Sequence, residues 1–327
     1  MSWKKNKLAV ILAGIVLLAA LTGAAFYVRN KTRQPVTMVY IPKVIDEKND
    51  FWTSLLEGAK MAAEEYGVEL TVMAGKSEDD YEGQIRKIRE AIARNPDVIL
   101  LSPTSYTEIT EAAGEIKKAG IRLVLVDSVL DEEIQDALVS TDNFNAGGKM
   151  GQLLLEIMPE NPVIGIVSHV QGSSTAMERE AGFRAAVGEY ASCVVDTVYG
   201  NSNYEKTYEV TRNMLEKCPD INVIVGMNEY SAVGAARAVK DAGLTGQIKM
   251  VGFDNSLEEI QLLEEGVFQG IVVQKPFNMG YLGVEKSVAL LKGERFPDAV
   301  DSGSELITKE NMYEIENQKL LFPFLDS

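Results

Sequence analysis

Apolar positions in this chain follow two alternating patterns. Residues 36–41 form a short β-branched run, and 51–66 follow with Leu55, Ala59, Ala62, Ala63 and Tyr66 at helical spacing. Residues 68–72 read as a strand. Residues 81–94 read as a helix with Ile85, Ile88 and Ile92 on one face, 98–101 as a continuous apolar strand, 107–119 as a helix and 121–126 as a strand. The pattern then restarts. Residues 163–167, 194–198, 221–225, 249–253 and 270–273 read as strands, and 176–190, 205–216, 231–242, 257–265 and 278–291 as the helices between them. Pro96-Asp97 and Pro219-Asp220 stand at corresponding helix-to-strand turns of the two halves. Strands that are apolar throughout belong to parallel sheets covered on both faces. Two such halves predict an α/β chain of two doubly wound parallel-sheet lobes. Ligands in such sheets bind beyond the carboxyl ends of the strands, which in two facing lobes is an interlobe cleft.

One stretch breaks the alternation. Residues 8–28 carry no charge over 21 residues, and a helix of that length spans about 30 Å, enough to cross a bilayer. The reading is one N-terminal transmembrane helix, with residues 1–35 as membrane anchor and linker. Cleavage of a signal near Gly23-Ala24-Ala25 is the alternative. Leu21-Thr22-Gly23-Ala24 resembles the lipobox of bacterial lipoproteins, but Ala24 stands where the lipidated cysteine would be.

Charge separates the same two objects. The chain has 327 residues, 32 basic and 48 acidic, for a net charge of −16. Residues 1–33 hold six basic residues and no acidic one, so the rest carries 26 basic and 48 acidic residues, or −22. A body that acidic is repelled by phosphate backbones, which argues against nucleic acid as a partner. The one histidine, His169, leaves little room for histidine catalysis or a zinc site, and two cysteines, Cys193 and Cys218, make no disulfide scaffold. They allow one bridge that their spacing does not decide. No GxxxxGK or strand-borne GxGxxG motif supports nucleotide binding, and no cofactor or metal is expected.

The residues just past the strands are polar and aromatic. They include Asn49-Asp50-Phe51-Trp52, Ser102-Pro103-Thr104, Asp127-Ser128 and Thr141-Asp142-Asn143 in the first half. Arg179, Asn228-Glu229, Asp254-Asn255 and Gln274 follow in the second. Carboxylates accept hydrogen bonds from hydroxyls, arginine and amides donate to ring and hydroxyl oxygens, and Phe51 or Trp52 can stack on a sugar face. Each residue has a plainer reading: Asp142 and Asp254 as helix caps, Phe51 as a staple, Trp52 as core, Arg179 as a solvated helix charge.

In order and spacing, these motifs, with Arg179-x-x-Gly182-Phe183, Val251-Gly252-Phe253-Asp254 and Gln274-x-Pro276, resemble the type I periplasmic sugar-binding proteins of the ribose-binding kind. The resemblance runs from Val36 to the C-terminus. It implies a type I periplasmic-binding-protein fold with a multi-strand hinge near 140–143, 274–276 and 301–306. The first lobe would comprise 36–140 plus about 276–300, and the second 141–275 plus about 301–327. It implies ligand contacts from Asn49, Phe51, Trp52, Ser102, Asp127, Ser128, Asn143, Arg179, Tyr204, Asn228, Asp254 and Gln274. Ribose binders of this kind carry arginine where Ser128 stands and asparagine where Ser102 stands. Tyr204 meets the expected second stacking aromatic only with a small shift. A short Ser128 enlarges or neutralises that corner, which points away from ribose itself.

The function implied is a monomeric, membrane-anchored extracytoplasmic receptor on the bacterial cell membrane, passing a small sugar to an ABC permease. The alternative is a sensor that signals closure to a membrane histidine kinase or chemoreceptor. A transcription regulator needs a basic N-terminal DNA-binding unit that the −22 body and apolar N-terminus do not provide. Asp127 and Asp254 could form a glycosidase pair, but nothing in the sequence positions a nucleophile or a raised-pKa acid, and His169 reads as strand-end filler, so no enzyme is expected.

Overall fold

The computed structural model describes residues 35–297 and 299–322. The apolar segment 8–28, where the membrane anchor is expected, lies outside them. Among the described residues no helix is long and apolar enough to cross a membrane.

Two six-stranded sheets carry the chain. The first takes β1 (Val36–Ile41), β2 (Val68–Val72), β3 (Val98–Leu101), β4 (Arg122–Val126), β5 (Ala137–Ser140) and β11 (Ala299–Asp301) in the order β2-β1-β3-β4-β5-β11. The second takes β6 (Ile164–Ser168), β7 (Val194–Tyr199), β8 (Val223–Gly226), β9 (Lys249–Phe253), β10 (Phe268–Gln274) and β12 (Ser304–Ile307) in the order β7-β6-β8-β9-β10-β12. The first five strands of each sheet thus follow one order. From β6 to β10 the pairs are parallel, and β12 runs antiparallel to β10. Strand order reverses at β1/β3 and at β6/β8, the points where such sheets open a crevice. The apolar runs behave as parallel-sheet cores require: β3, β6 and β8 are buried along their whole length.

The helices are α1 (Asp50–Tyr66), α2 (Tyr81–Ala93), α3 (Thr110–Lys118), α4 (Asn143–Ile157), α5 (Ser174–Val187), α6 (Tyr204–Lys217), α7 (Glu229–Asp241), α8 (Leu257–Glu264), α9 (Pro276–Leu291) and α10 (Ile315–Leu321), with a 3-10 turn at Gly188–Cys193. The chain passes between the sheets three times. It leaves β5 of the first sheet for α4, which packs on α5 of the second, leaves β10 for α9, which packs on α1, and passes from β11 to β12. Each lobe is closed by one tight helix pair. A Cβ on Gly58 would lie 2.0 Å from the Phe277 carbonyl oxygen, and one on Gly280 1.9 Å from that of Leu55. In the second lobe a Cβ on Gly147 would meet the Arg179 carbonyl at 2.0 Å, and one on Gly182 that of Phe144 at 1.9 Å. Only glycine allows helices α1/α9 and α4/α5 to cross this closely.

The helix expected at 107–119 starts later, at Thr110, and the one at 176–190 gives way to the 3-10 turn after Val187. Cys193 and Cys218 are free, partly buried thiols.

Candidate functional site

Each lobe ends one central strand on an aspartate in an unusual backbone state. Asp127 follows β4 with φ 72°, and Asp254 follows β9 with φ 83°. Aspartate tolerates this left-handed region, which costs most side chains of order 1–3 kcal/mol. Both backbone amides still join the sheet: Asp127 N donates to Val139 O at 2.9 Å and Asp254 N to Val272 O at 2.8 Å. The kink turns each carboxyl out of the strand row and into the space between the lobes.

That space is a narrow cavity, lined by Lys43, Asn49, Phe51, Trp52, Glu78 and Asp127 from the first lobe. His169, Thr175, Arg179, Asn228, Tyr230, Asp254 and Gln274 line it from the second. The rings of Phe51 and Trp52 stand edge to face, centroids 5.0 Å apart at 86°, and form an apolar corner.

In the first lobe the dominant feature is a buried ion pair. Lys43 Nζ lies 2.8 Å from Asp127 Oδ2, with both side chains 3–4% exposed. Ser128 Oγ donates to the same oxygen at 2.6 Å. Trp52 Nε1 donates to Glu78 Oε1 at 2.6 Å. Burial raises the Glu78 carboxyl above its ordinary pKa, against the opposing pull of Lys43 and the Trp52 bond.

In the second lobe Arg179 is buried and held on three sides. Its Nε donates to Asn143 Oδ1 at 2.8 Å, its Nη1 to Met227 O at 2.8 Å, and its guanidinium lies 3.8 Å over the Phe253 ring. Asp254 accepts from Gln274 Nε2 at 2.7 Å and from Glu229 N at 2.9 Å. Burial raises its pKa, countered by the nearby Arg179 charge. His169 is neutral: burial, then Arg179 and Lys43, hold its pKa well below 6.5. Its Nε2 is 2.9 Å from Thr175 Oγ1, while Nδ1 has no partner. Gln274 Oε1 also has none. Buried polar atoms are rarely left unpaired, so two orphans on one cavity wall mark places for ligand groups.

The lobes touch directly around the cavity. Tyr230 Oη donates to Asp46 Oδ2 at 2.8 Å, Ser202 Oγ to Glu78 Oε2 at 2.8 Å, Val129 N to Ser174 Oγ at 3.0 Å, and Asp50 N to Glu229 Oε2 at 3.1 Å. The cleft is closed.

A periplasmic binding protein domain model matches residues 39–295. The chain belongs to the periplasmic binding protein family. Among its relatives in this family, a D-ribose/D-allose-binding protein of Pseudomonas aeruginosa is 28% identical over 254 residues, covering 75% of this chain and 80% of the relative. The ribose import binding protein RbsB of Escherichia coli is 24% identical over 305 residues, 93% of this chain and 99% of its own. A solved sugar transporter from Clostridium phytofermentans is 47% identical with a TM-score of 0.80, covering 84% of this chain and all of that one. A carbohydrate transporter solute-binding protein from Agrobacterium radiobacter, in complex with D-arabinose, is 26% identical with a TM-score of 0.83 over 89% of this chain and 100% of its own. The two lobes form the type I fold of the family.

Of the twelve residues singled out from sequence, Asn49, Phe51, Trp52, Asp127, Arg179, Asn228, Asp254 and Gln274 line this binding protein's cavity. Asn49 and Asn228 are also helix caps, accepting from Trp52 N and Ser231 N, so what either offers a ligand is its NH₂. The other four stand behind the wall. Ser102 Oγ bonds Tyr40 Oη at 2.9 Å, Ser128 bonds Asp127, Asn143 orients Arg179, and Tyr204 Oη donates to Glu229 Oε1. Two expectations are corrected. The corner beside Ser128 is not neutralised, because Lys43 supplies a cation from β1's end. The second aromatic is Tyr230 rather than Tyr204, whose hydroxyl is drawn to Glu229 while its ring packs 4.7 Å from that of Tyr230. Asp142 does cap a helix, accepting from Asn145 N, but Asp254 does not, since Ser256 caps α8. Arg179 is no solvated charge.

Lys43, Glu78, His169, Thr175 and Tyr230 were missed. Lys43 and His169 lie within two residues of the ends of β1 and β6, so the strand-end rule applied to every strand finds them.

Proposed function

We propose that this protein is an extracytoplasmic receptor that binds a small neutral monosaccharide between its lobes and delivers it to an ABC-type importer, acting as a monomer and performing no chemistry. The observation that carries this reading is the closed interlobe cavity, with an aromatic corner, two strand-end aspartates, a buried arginine and two unpartnered buried polar atoms. Those groups suit hydroxyls: Gln274 Oε1 and the aspartates accept, Arg179, Lys43 and the amides of Asn49 and Asn228 donate, and His169 Nδ1 does either according to its tautomer. Relatives named for ribose and allose, and a solute-binding protein solved in complex with D-arabinose, support the same ligand class. Phe51 and Trp52 would cover the apolar face of the ring. Ser102, Ser128, Asn143 and Tyr204 would act by holding the wall residues.

The lobes proposed are 36–140 with about 276–300, and 141–275 with about 301–327, closing about the three connections as a hinge. Ligand bound to both lobes favours the closed state because only that state makes both sets of bonds. Segment 8–28 would tether the receptor to the membrane. The absence of a lipobox cysteine at Ala24 favours a second reading, a tethered sensor that reports closure to a membrane histidine kinase.

A calorimetric and thermal-shift panel of D-ribose, D-allose, D-arabinose, D-fucose and D-tagatose tests the ligand class. At least one sugar should bind at micromolar affinity or tighter. Stabilisation by an amino acid or peptide, with no sugar effective across a widened panel, would overturn it.

A further inference from the structure

One buried side chain outside the cavity joins the two lobes. Glu229 opens helix α7 in the second lobe and is 1% exposed, yet it does not line the cavity. Its Oε2 accepts from Asp50 N at 3.1 Å and from Phe51 N at 3.3 Å. Those are first-turn amides of α1, a 17-residue helix of the first lobe. The first amides of a helix have no partner within it and carry its positive dipole end. Helix α1 has its own cap residue, Asn49, but Asn49 serves Trp52 N and leaves these two amides to Glu229. The other oxygen, Oε1, receives the Tyr204 hydroxyl, so the carboxyl is gripped from α6 while it caps α1.

We propose that Glu229 is the latch of the cleft: a carboxyl of the second lobe that caps helix α1 of the first only when the lobes are closed, and so adds to ligand affinity without touching the ligand. This rests on the sugar-receptor reading. It makes Glu229 a positioning residue. Opening the cleft returns both amides and the carboxyl to water, so the bonds count toward closure alone.

The carboxyl that forms the latch takes a proton more readily than an ordinary one. Burial, with Asp254 and Asp50 adding to it, pushes the Glu229 pKa up to about 8 against the Tyr204 and Phe51 bonds. The groups facing it are Asp50 on α1, Tyr204 on α6, Asp254 after β9 and Glu259 on α8, with Tyr230 beside it in sequence. Of the cations near this group, Arg237 lies over the Tyr204 ring at 5.3 Å and Arg179 acts on Asp254. Three carboxyls and no direct cation beside it raise the carboxyl's proton affinity in the closed state.

The test uses Glu229→Gln, Glu229→Ala and Tyr204→Phe in the full chain. Two readouts serve: amide hydrogen exchange at Asp50 and Phe51 without sugar, and affinity for whichever panel sugar binds the wild type. Glutamine keeps an accepting oxygen and is expected to retain the slow exchange and an affinity within about threefold. Alanine should expose both amides and weaken binding about tenfold or more. Tyr204→Phe should fall between them, and covers the case that the alanine variant does not fold. Calorimetry in two buffers of different ionisation heat should show proton uptake on binding by the wild type that Glu229→Gln lacks. Unchanged exchange and affinity in Glu229→Ala overturn the latch. If no sugar binds, the receptor reading fails, while the exchange readout still decides the latch.

Discussion

The two lobes solve one problem twice and differ in how they finish it. Asp127 and Asp254 both end a central strand at positive φ, both keep their sheet hydrogen bond, and both project into the cavity. The carboxyl of the first lobe is met by an ammonium, Lys43 at 2.8 Å. The carboxyl of the second is met by uncharged donors, Gln274 Nε2 and Glu229 N, with Arg179 close but bound elsewhere. One backbone device therefore presents two kinds of acceptor. The first is a fixed ion pair. The second is a raised carboxyl within a group of buried acids. Among buried acids and without a cation bonded to it, the Asp254 carboxyl has its pKa raised by burial.

The largest effect that would break the comparison comes from removing each partner set in turn. Lys43→Met keeps the length of the side chain and leaves Asp127 buried without its cation. Removing one member of a buried ion pair costs about 3–5 kcal/mol. Asp254→Asn removes a charge whose partners are neutral, and one hydrogen bond to a charged group is worth about 1–3 kcal/mol. Urea unfolding without sugar should therefore rank Lys43→Met well below Asp254→Asn in stability. Equal losses would mean that the two aspartates are held alike.

A pH series sharpens the same contrast at a smaller scale. Asp254, Glu229 and Glu259 all have pKa values raised mainly by burial, Glu229 to about 8 and Glu259 well above 4.5. A group whose folded pKa exceeds its unfolded one holds more protons when folded. Its contribution is complete below the unfolded value, near 4.5, and fades as pH rises to about 8. His169 has the opposite sign, since its neutral form is favoured and its contribution is lost as pH falls below about 6.5. The melting temperature should accordingly decline from pH 6.5 to 8.5, and Glu229→Gln should flatten part of that decline. Native-state hydrogen exchange over the same range should loosen the second lobe before the first. A first lobe that loosens as early would show that Glu78, also raised, governs as much as the second-lobe acids.

Strand ends were legible in sequence because a continuous apolar run followed by a polar residue marks the edge of a parallel sheet. Asp127, Asp254 and Gln274 were found this way. Of the helix Asn143–Ile157 only the start was marked, by Asp142 as a cap, and the strand Ala137–Ser140 was not found. The helix carries Gly147, Gly148 and Gly151, poor helix formers whose presence makes sense only once α5 is seen crossing at Gly147. The strand has four residues, alternately buried, too short to register. Partnerships across the cleft were illegible for a different reason. Glu229 meets Asp50 across 179 positions of sequence, and Lys43 meets Asp127 across two separate strands, so neither pairing leaves a local pattern. The resemblance to ribose binders marked the Ser128 corner but not Lys43 beside it, because Lys43 comes from a different strand.

Ser128 gives the smallest and most discriminating case. It stands where the ribose binders carry arginine, and its hydroxyl donates to the oxygen that Lys43 also engages. Ser128→Ala removes one donor but leaves the ammonium in place, so Asp127 is not orphaned and the cost should stay near 1 kcal/mol. If Lys43 has taken over the arginine's part, Ser128→Ala should change sugar affinity by less than about threefold, and the double variant with Lys43→Met should lose more than the sum of the singles, because only then is the carboxyl stripped of both donors. Strict additivity would mean that the two donors act on Asp127 independently, and the corner would then owe its charge balance to something other than Lys43.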